Sequence, residues 1–311
     1  MWPAFLTTIF FSISAVCAQR TSKVLGGVEA NFWRVLLATA LLALWAHTFG
    51  QGLIGKALPM FLLSGFLGFG LGDIALYQAL PRLGSRLSIL IVHCLAAPFA
   101  AATEWLWLGT KMSGMEMGGA ALILGGVALA IAPGKHLEIP KRVFWIGVAY
   151  GVVAALGQGM GAVFSGHASR VDAAAGTPVD GGTAAYQRIL AGLAVAVVFW
   201  LGMKMRRKNA EGRMQNGPAL NPQPSTLNSS RPIWPWVVVN ALSGPAIGVA
   251  CYQWALMTEK SGVVLPIVAL TPLVIIPFSR YVEGERPTKR SLVGGLVAVA
   301  GVVVLRMAIR S

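Results

Sequence analysis

Hydrophobic positions in this chain fall in long unbroken runs rather than in alternation with polar ones. Ten apolar segments stand out, at about 2–18, 28–49, 57–80, 87–108, 113–133, 143–165, 182–203, 233–257, 261–281 and 288–308. Most are long enough to cross the ~30 Å of hydrocarbon in a bilayer at ~1.5 Å of rise per residue. In hydrocarbon each backbone amide needs an internal partner, so these segments are expected to be helices. Membrane-crossing strands would be about half as long and would alternate in polarity. The pattern predicts an all-α integral membrane protein with ten transmembrane helices. The first segment ends in Ala15-Val16-Cys17-Ala18, which has the look of a cleavage site, but no Lys or Arg precedes the run. It is expected to be a retained helix and not a signal peptide.

Composition supports the same class. Only 12% of the 311 residues are charged, against roughly 25% in a soluble domain. Too few charges remain to cover a water-facing surface, so most of the exterior is expected to face lipid. The net charge of +14 would suggest nucleic acid in a soluble chain. Here the basic residues sit in the gaps between apolar runs, and no basic stripe with interleaved aromatics occurs, so nucleic acid is not an expected partner. Cys17, Cys94 and Cys251 stand singly inside apolar runs and match no metal spacing. Eight of the ten tryptophans lie near segment ends, where they are expected to anchor at the membrane interface.

Most connections are short. The exception, 204–232, opens on Lys204, Arg206, Arg207 and Lys208 and continues into a Pro/Asn/Ser-rich stretch. That composition cannot build a core and predicts a disordered linker. A smaller loop is expected at 166–181.

The two halves of the chain echo each other. The second segment reads Trp33-Arg34-Val35-Leu36 and the seventh Gln187-Arg188-Ile189-Leu190, each with one arginine followed by an apolar run. The third ends Tyr77-Gln78-Ala79-Leu80 and the eighth Tyr252-Gln253-Trp254-Ala255-Leu256. The fifth carries Gly118-Gly119 and Gly125-Gly126, and the tenth Gly294-Gly295 and Gly301. Glycines repeated at seven residues share one helix face, and close backbone packing accounts for them. Proline interrupts the fourth segment at Pro98 and the ninth at Pro266, Pro272 and Pro277. An odd number of spans per half starts the second half on the opposite side of the membrane. That relates the halves by a two-fold axis in the membrane plane, as in many secondary transporters.

In this order of motifs the sequence resembles the ten-span EamA-like permeases of the drug/metabolite transporter superfamily. The resemblance covers 1–133 and 143–308, one five-helix repeat each, with the linker 204–232 interrupting the second. Its best stretch is Pro272 through Leu305, where a proline-bearing span leads into Gly284-Glu285-Arg286 and then Gly294-Gly295 and Gly301. The first repeat has Gly109-Thr110-Lys111 where the family pattern has Gly-Glu-Arg. The resemblance implies movement of small metabolites, often amino acids, without ATP hydrolysis.

Ionisable groups inside the segments are few, namely Arg34, Asp73, His93, Glu104, Arg188 and, near an end, Arg280. Each costs about 2.5–3.5 kcal/mol at a helix centre and asks for a partner or a role. By helical rise, Arg34 and Asp73 lie roughly 9–10 Å below the same face, and His93 reaches a similar depth. Asn240 can join them. Glu104 and Arg188 lie roughly 6–9 Å below the opposite face. One reading is a site for a substrate carboxylate or a coupling proton, with Asp73 or Glu104 as its carrier. The other is a structural ion pair with both arginines snorkelling to the interface. Thr271 beside Pro272, and Ser88 and His93 near Pro98, are candidates to line a central site, because a mid-helix proline frees a carbonyl. Gln158, between Gly157 and Gly159, is either a cavity residue or a helix–helix contact on a glycine face.

An intramembrane enzyme would need a nucleophile with a base, or clustered metal ligands. His47, His93, His136 and His167 stand singly, and no metalloprotease or nucleophile-elbow spacing occurs. The expected function is therefore secondary transport, with no enzyme activity, cofactor or metal, in a cell membrane. The partners are the bilayer, a small molecule and, as candidate coupling ions, protons. The alternative is a non-transporting membrane scaffold, which has no need of inverted halves with matched proline breaks. Lys and Arg number 17 in the five odd-numbered loops and 6 in the even loops and termini. The positive-inside rule puts the odd loops in the cytoplasm. A reporter fused after Ser311 is expected to be active only outside the cytoplasm. Cytoplasmic activity would reverse the orientation.

Overall fold

The computed structural model describes residues 1–131, 139–215, 232–275 and 289–310. Among them all regular structure is helical. In chain order we label α1 (Trp2–Leu25), α2 (Gly27–Thr48), α3 (Leu58–Gly84), α4 (Leu87–Leu108), α5 (Gly114–Ile131), α6 (Lys141–Ala174), α7 (Gly181–Gln215), α8 (Trp234–Thr258), α9 (Ser261–Val268) and α10 (Lys289–Arg310). The helices α1–α4 and α6–α8 are long and apolar enough to cross a membrane, and shorter apolar helices occupy Gly114–Ala130, Ser261–Ile275 and Val293–Leu305. Large apolar side chains stand bare on the outside, including Phe49, Leu106, Val198 and Leu296. So do Trp2, Trp105, Trp145 and Trp234 near helix ends. Water would penalise such a surface and hydrocarbon does not. This is a multi-pass membrane protein.

Several helices outrun the segments read from hydropathy. The expected loop at 19–27 shrinks to Gly26 (φ 81, ψ 156), and the chain passes from α3 to α4 through a break at Gly84 (φ 77, ψ 167). That backbone region is essentially open to glycine alone, so one residue does the work of a loop. The expected loop at 166–181 is mostly helix as well, since α6 runs to Ala174. Its polar Asp172 is buried and accepts the Ala57 amide at 2.8 Å. The predicted disordered linker needs the same correction, because 204–215 continues α7. Lys204, Met205, Arg206, Arg207 and Lys208 are strong helix formers, and Lys204 and Arg207 approach Glu29 at 3.9 and 3.7 Å. The rest of that stretch, 216–231, lies outside the described residues, as do Pro277 and Glu285.

Two helices widen into π turns, α3 over Phe66–Gly72 and α8 over Leu242–Ala246. In α8 the cause is local: Pro245 has no N–H to continue the ladder. In α3 the widened stretch is rich in glycine and lies backbone to backbone on the glycines of α6. A Cβ on Gly157 would meet the Leu67 carbonyl oxygen at 2.4 Å. The helix pairs α2–α7, α5–α10, α1–α8 and α3–α6 run along one another, and α9 packs on α4.

Lipid offers apolar side chains as good an environment as another helix does, so close packing has to hold such pairs together. The α5–α10 seam shows how. A Cβ on Gly126 would lie 2.5 Å from the Ala298 amide nitrogen, and one on Gly294 would lie 2.4 Å from the Gly126 carbonyl oxygen. Gly125, on the next face, has open space around it. Gly126→Leu is expected to cost about 1–3 kcal/mol or more through overpacking, read as a lowered midpoint of thermal unfolding in detergent. Gly125→Ala should leave the midpoint in place. Equal effects would mean that the glycine face does not hold the seam.

Candidate functional site

A cavity of about 70 Å³ lies within the bundle, lined from α1, α2, α3, α4, α6, α7 and α8. Of the residues singled out from sequence, it brings together Arg34, Asp73, His93, Gln158 and Arg188. On α1 and α3 the lining reaches Ala18 and Leu80, toward the end of the bundle that carries Gly26 and Gly84.

Asp73, 4% exposed, is the hub. Arg34 of α2 donates to its Oδ2, and Gln158 Nε2 of α6 donates to its Oδ1 at 3.1 Å. Arg34 also donates to Asn31 Oδ1 at 2.9 Å and lies over the Tyr77 ring at 4.9 Å. Behind the cavity wall, Asn240 donates to the Tyr77 hydroxyl at 2.9 Å and accepts from Ser14 at 2.7 Å. The glycine face of α6 explains the reach of Gln158. With no side chain at Gly157 or Gly161, α6 sits close enough to α3 for the amide to cross.

Arg188 is 2% exposed, so it does not snorkel. Its guanidinium lies over the Phe69 ring at 5.5 Å, yet makes no hydrogen bond or ion pair among the described residues. His93 stacks beside Phe11 at 6.2 Å.

The remaining candidates lie elsewhere. Glu104 is buried and accepts the Ser261 and Gly262 amides at 3.0 and 3.3 Å, capping the N-terminus of α9, with Arg170 at 3.9 Å. That is where a carboxylate complements a helix dipole. Thr271 and Ser88 are buried but do not line the cavity. Thr271 donates at 2.6 Å to the Val268 carbonyl, the group that Pro272 leaves without its helical N–H. The chain turns at Ala269–Leu270, just before Pro272, whereas Pro98 and Pro266 sit inside helical stretches.

The opposite end of the bundle is tied shut by polar contacts. The Gln51 amide donates to Thr183 at 3.1 Å, and Gln51 Oε1 accepts the Asp180 amide at 2.9 Å. Gln187 donates to the Gly52 and Ile54 carbonyls at 3.1 Å each. Lys260 reaches Glu116 at 3.3 Å. Asp180 caps α7, accepting the Gly182 and Thr183 amides at 2.8 and 3.1 Å, and takes the Trp45 indole at 2.9 Å. Burial pushes its carboxyl upward. Hydrogen bonds from Thr183, Trp45 and the two amides outweigh that push and hold it below the ordinary carboxylate range.

Sequence reading did not single out Phe11, Phe69, Tyr252, Ser14 or Pro245, all of which line the cavity. The repeated Tyr-Gln of α3 and α8 was the available signal for the tyrosines. Phe11, Phe69 and Ser14 carry none, since which face of a helix turns inward is a property of the packed bundle.

An all-helical, multi-pass bundle with charged side chains gathered in an interior cavity is the architecture of a membrane transporter. The chain belongs to the EamA-like transporter family, whose model matches residues 1–132 and 145–307. It is also similar to proteins of Pseudomonas paraeruginosa and Pseudomonas aeruginosa, each described as a probable 4-amino-4-deoxy-L-arabinose-phosphoundecaprenol flippase subunit ArnE. Both are 35% identical over 72 residues, 23% of this chain. The match spans only 60% of the length of those relatives. A solved structure described only as the crystal structure of a protein superposes with a TM-score of 0.68, over 99% of this chain and 97% of that one. At 16% identity it supports the helical fold alone.

Asp180→Asn keeps a capping oxygen but removes the charge, and is expected to lower stability at neutral pH by about 0.3–1 kcal/mol, the usual worth of a negative charge at a helix N-terminus. Because the folded-state carboxyl is held low, its contribution is present above the ordinary carboxylate range and is lost as pH falls through the depressed value. The gap in unfolding midpoint between wild type and variant should hold from neutral to mildly acidic pH and close only in strong acid. A gap that closes near neutrality would rule out Asp180 as its source.

Proposed function

We propose that this chain is a ten-helix secondary transporter of two inverted five-helix repeats. It carries small polar metabolites, such as amino acids or related compounds, by alternating access around the central cavity. The observation that carries the reading is the Arg34–Asp73–Gln158 cluster in a cavity lined from both halves of an otherwise apolar bundle. A charge buried in hydrocarbon is costly and marks a pathway or relay more often than a scaffold. The pairing of α2 with α7 and α5 with α10, together with π turns in both α3 and α8, supports the two-fold relation. The names of the flippase relatives support movement of a substrate across the membrane.

In this reading the odd-numbered loops face the cytoplasm of a cell membrane. The closed end, with Gln51, Asp180 and Thr183, faces outward. Asp73 is the proton carrier, as the acidic side chain on the cavity wall, and both of its oxygens are held by groups on other helices. Protonation weakens its hold on Arg34 and Gln158 and frees α2 and α6 to shift against α3.

Asp73→Asn in proteoliposomes is expected to abolish the dependence of transport on a pH gradient while the protein stays folded. Arg34→Gln is expected to destabilise the fold by about 3–5 kcal/mol, since it strands a buried carboxylate. The double variant should recover part of that loss. An unchanged pH dependence in Asp73→Asn removes the coupling role. Additive losses in the double variant remove the pair.

A further inference from the structure

We infer that Arg188 is the docking point for the anionic group, carboxylate or phosphate, of an organic anion carried by this protein. Calling that ligand a substrate rests on the transporter reading above. The observation behind it is an imbalance of charge. The cavity holds two guanidinium groups, Arg34 and Arg188, and one carboxylate, Asp73. Asp73 is fully engaged, with Arg34 on Oδ2 and Gln158 on Oδ1. Arg188 is as deeply buried as Arg34 and has no hydrogen-bond or ion-pair partner among the described residues.

The repeat shows where a partner is missing. Arg34 and Arg188 occupy matching positions, as do Tyr77 and Tyr252. Four residues before Tyr77 stands Asp73, which answers Arg34. Four residues before Tyr252 stands Gly248, which has no side chain. A Cβ on Gly248 would meet the Ser243 carbonyl oxygen at 2.4 Å and the Phe11 ring at 2.9 Å, so no side chain fits there. The second arginine has thus kept its place in the cavity while its internal anion is absent.

Such a guanidinium lacks exactly the group a ligand can bring. Its planar fork matches a carboxylate or phosphate with two parallel hydrogen bonds, which are strongest where water is scarce. Gly68 and Gly161 make room for the guanidinium itself, for a methyl at either would come within 3.1 or 3.4 Å of Nη2. Phe69 beneath the guanidinium supplies cation–π support and no competing acceptor. With Phe11 and Tyr252 also on the wall, the cavity suits an apolar or aromatic body bearing one negative charge. A cation with no anionic group finds no free carboxylate there, whereas an amino acid can still dock by its own carboxylate.

Four small aromatic compounds of similar size test this: benzoate, phenyl phosphate, benzyl alcohol and benzylamine. Binding to the purified full chain in detergent is read by titration calorimetry. Benzoate, phenyl phosphate or both should bind, the alcohol and amine should bind at least about tenfold more weakly, and whichever anion binds identifies the group. Arg188→Gln should weaken anion binding by at least about tenfold, the scale of a lost buried charge contact. Should that variant not fold, Arg188→Lys serves instead: it keeps the charge, loses the fork, and is expected to bind more weakly while still preferring anions. Absence of anion binding to wild type, equal binding of benzylamine and benzoate, or undiminished anion affinity in a folded Arg188 variant would each overturn the inference. Counterflow of labelled benzoate in proteoliposomes separates the two readings. Charge-selective binding without flux keeps the anion site and sinks the transporter, whereas flux indifferent to charge and to Arg188 does the reverse.

Discussion

Burying charge where there is no water governs this molecule. Two guanidinium groups and a carboxylate sit in the middle of a bundle whose surroundings are otherwise apolar. None of them can be left to the bilayer, so the helices must arrange themselves around them. Asp73 is satisfied only because α2 brings Arg34 and α6 brings Gln158. Gln158 in turn reaches across only because Gly157 and Gly161 let α6 lie against the widened turns of α3. The electrostatics at the centre and the glycine packing around it are therefore one requirement seen from two sides.

The second requirement is the backbone. Each proline that bends or breaks a helix leaves a carbonyl without its N–H, and in hydrocarbon that debt has to be met by another donor. Thr271 meets it for Val268. Glu104 does the converse at the start of α9, supplying an acceptor to amides that have no helical partner. Residues that looked like candidates for chemistry because they are polar and deep thus divide into two groups. Glu104 and Thr271 answer backbone needs, whereas Arg34, Asp73, Gln158 and Arg188 face the cavity.

The helical class was legible because runs of this length and polarity have no other solution in a membrane, and the resemblance to the family rested on motif order in both halves. Helix ends were less legible. Hydropathy marks where a chain leaves the hydrocarbon, not where its helix stops, which is why α7 continues through Lys204 and Arg207 and α6 through Asp172. The turns at Gly26 and Gly84 fall within the connections expected from hydropathy, but hydropathy does not say that a single glycine in each does the turning. At the site, depth along the helix was enough to pair Arg34 with Asp73. It was not enough for Arg188, whose depth matched it with Glu104, a residue that caps α9 instead, since depth says nothing about which way a side chain points.

Three hydroxyls of α1, those of Thr7, Thr8 and Ser12, each have two acceptors but only one proton. Thr8 lies 2.9 Å from the Ala4 carbonyl of its own helix and 3.2 Å from the Ile267 carbonyl of α9. Ser12 is placed likewise between Thr8 and Thr271, and Thr7 between Pro3 and Gly248. When α1 lies against its neighbours, these protons can be shared outward; when it draws away, each falls back on its own helix. No donor is stranded in either state. The seam beside the cavity behaves as a zip fastener in which every tooth has somewhere to rest when open, so parting it forfeits contact area but almost no hydrogen bonding.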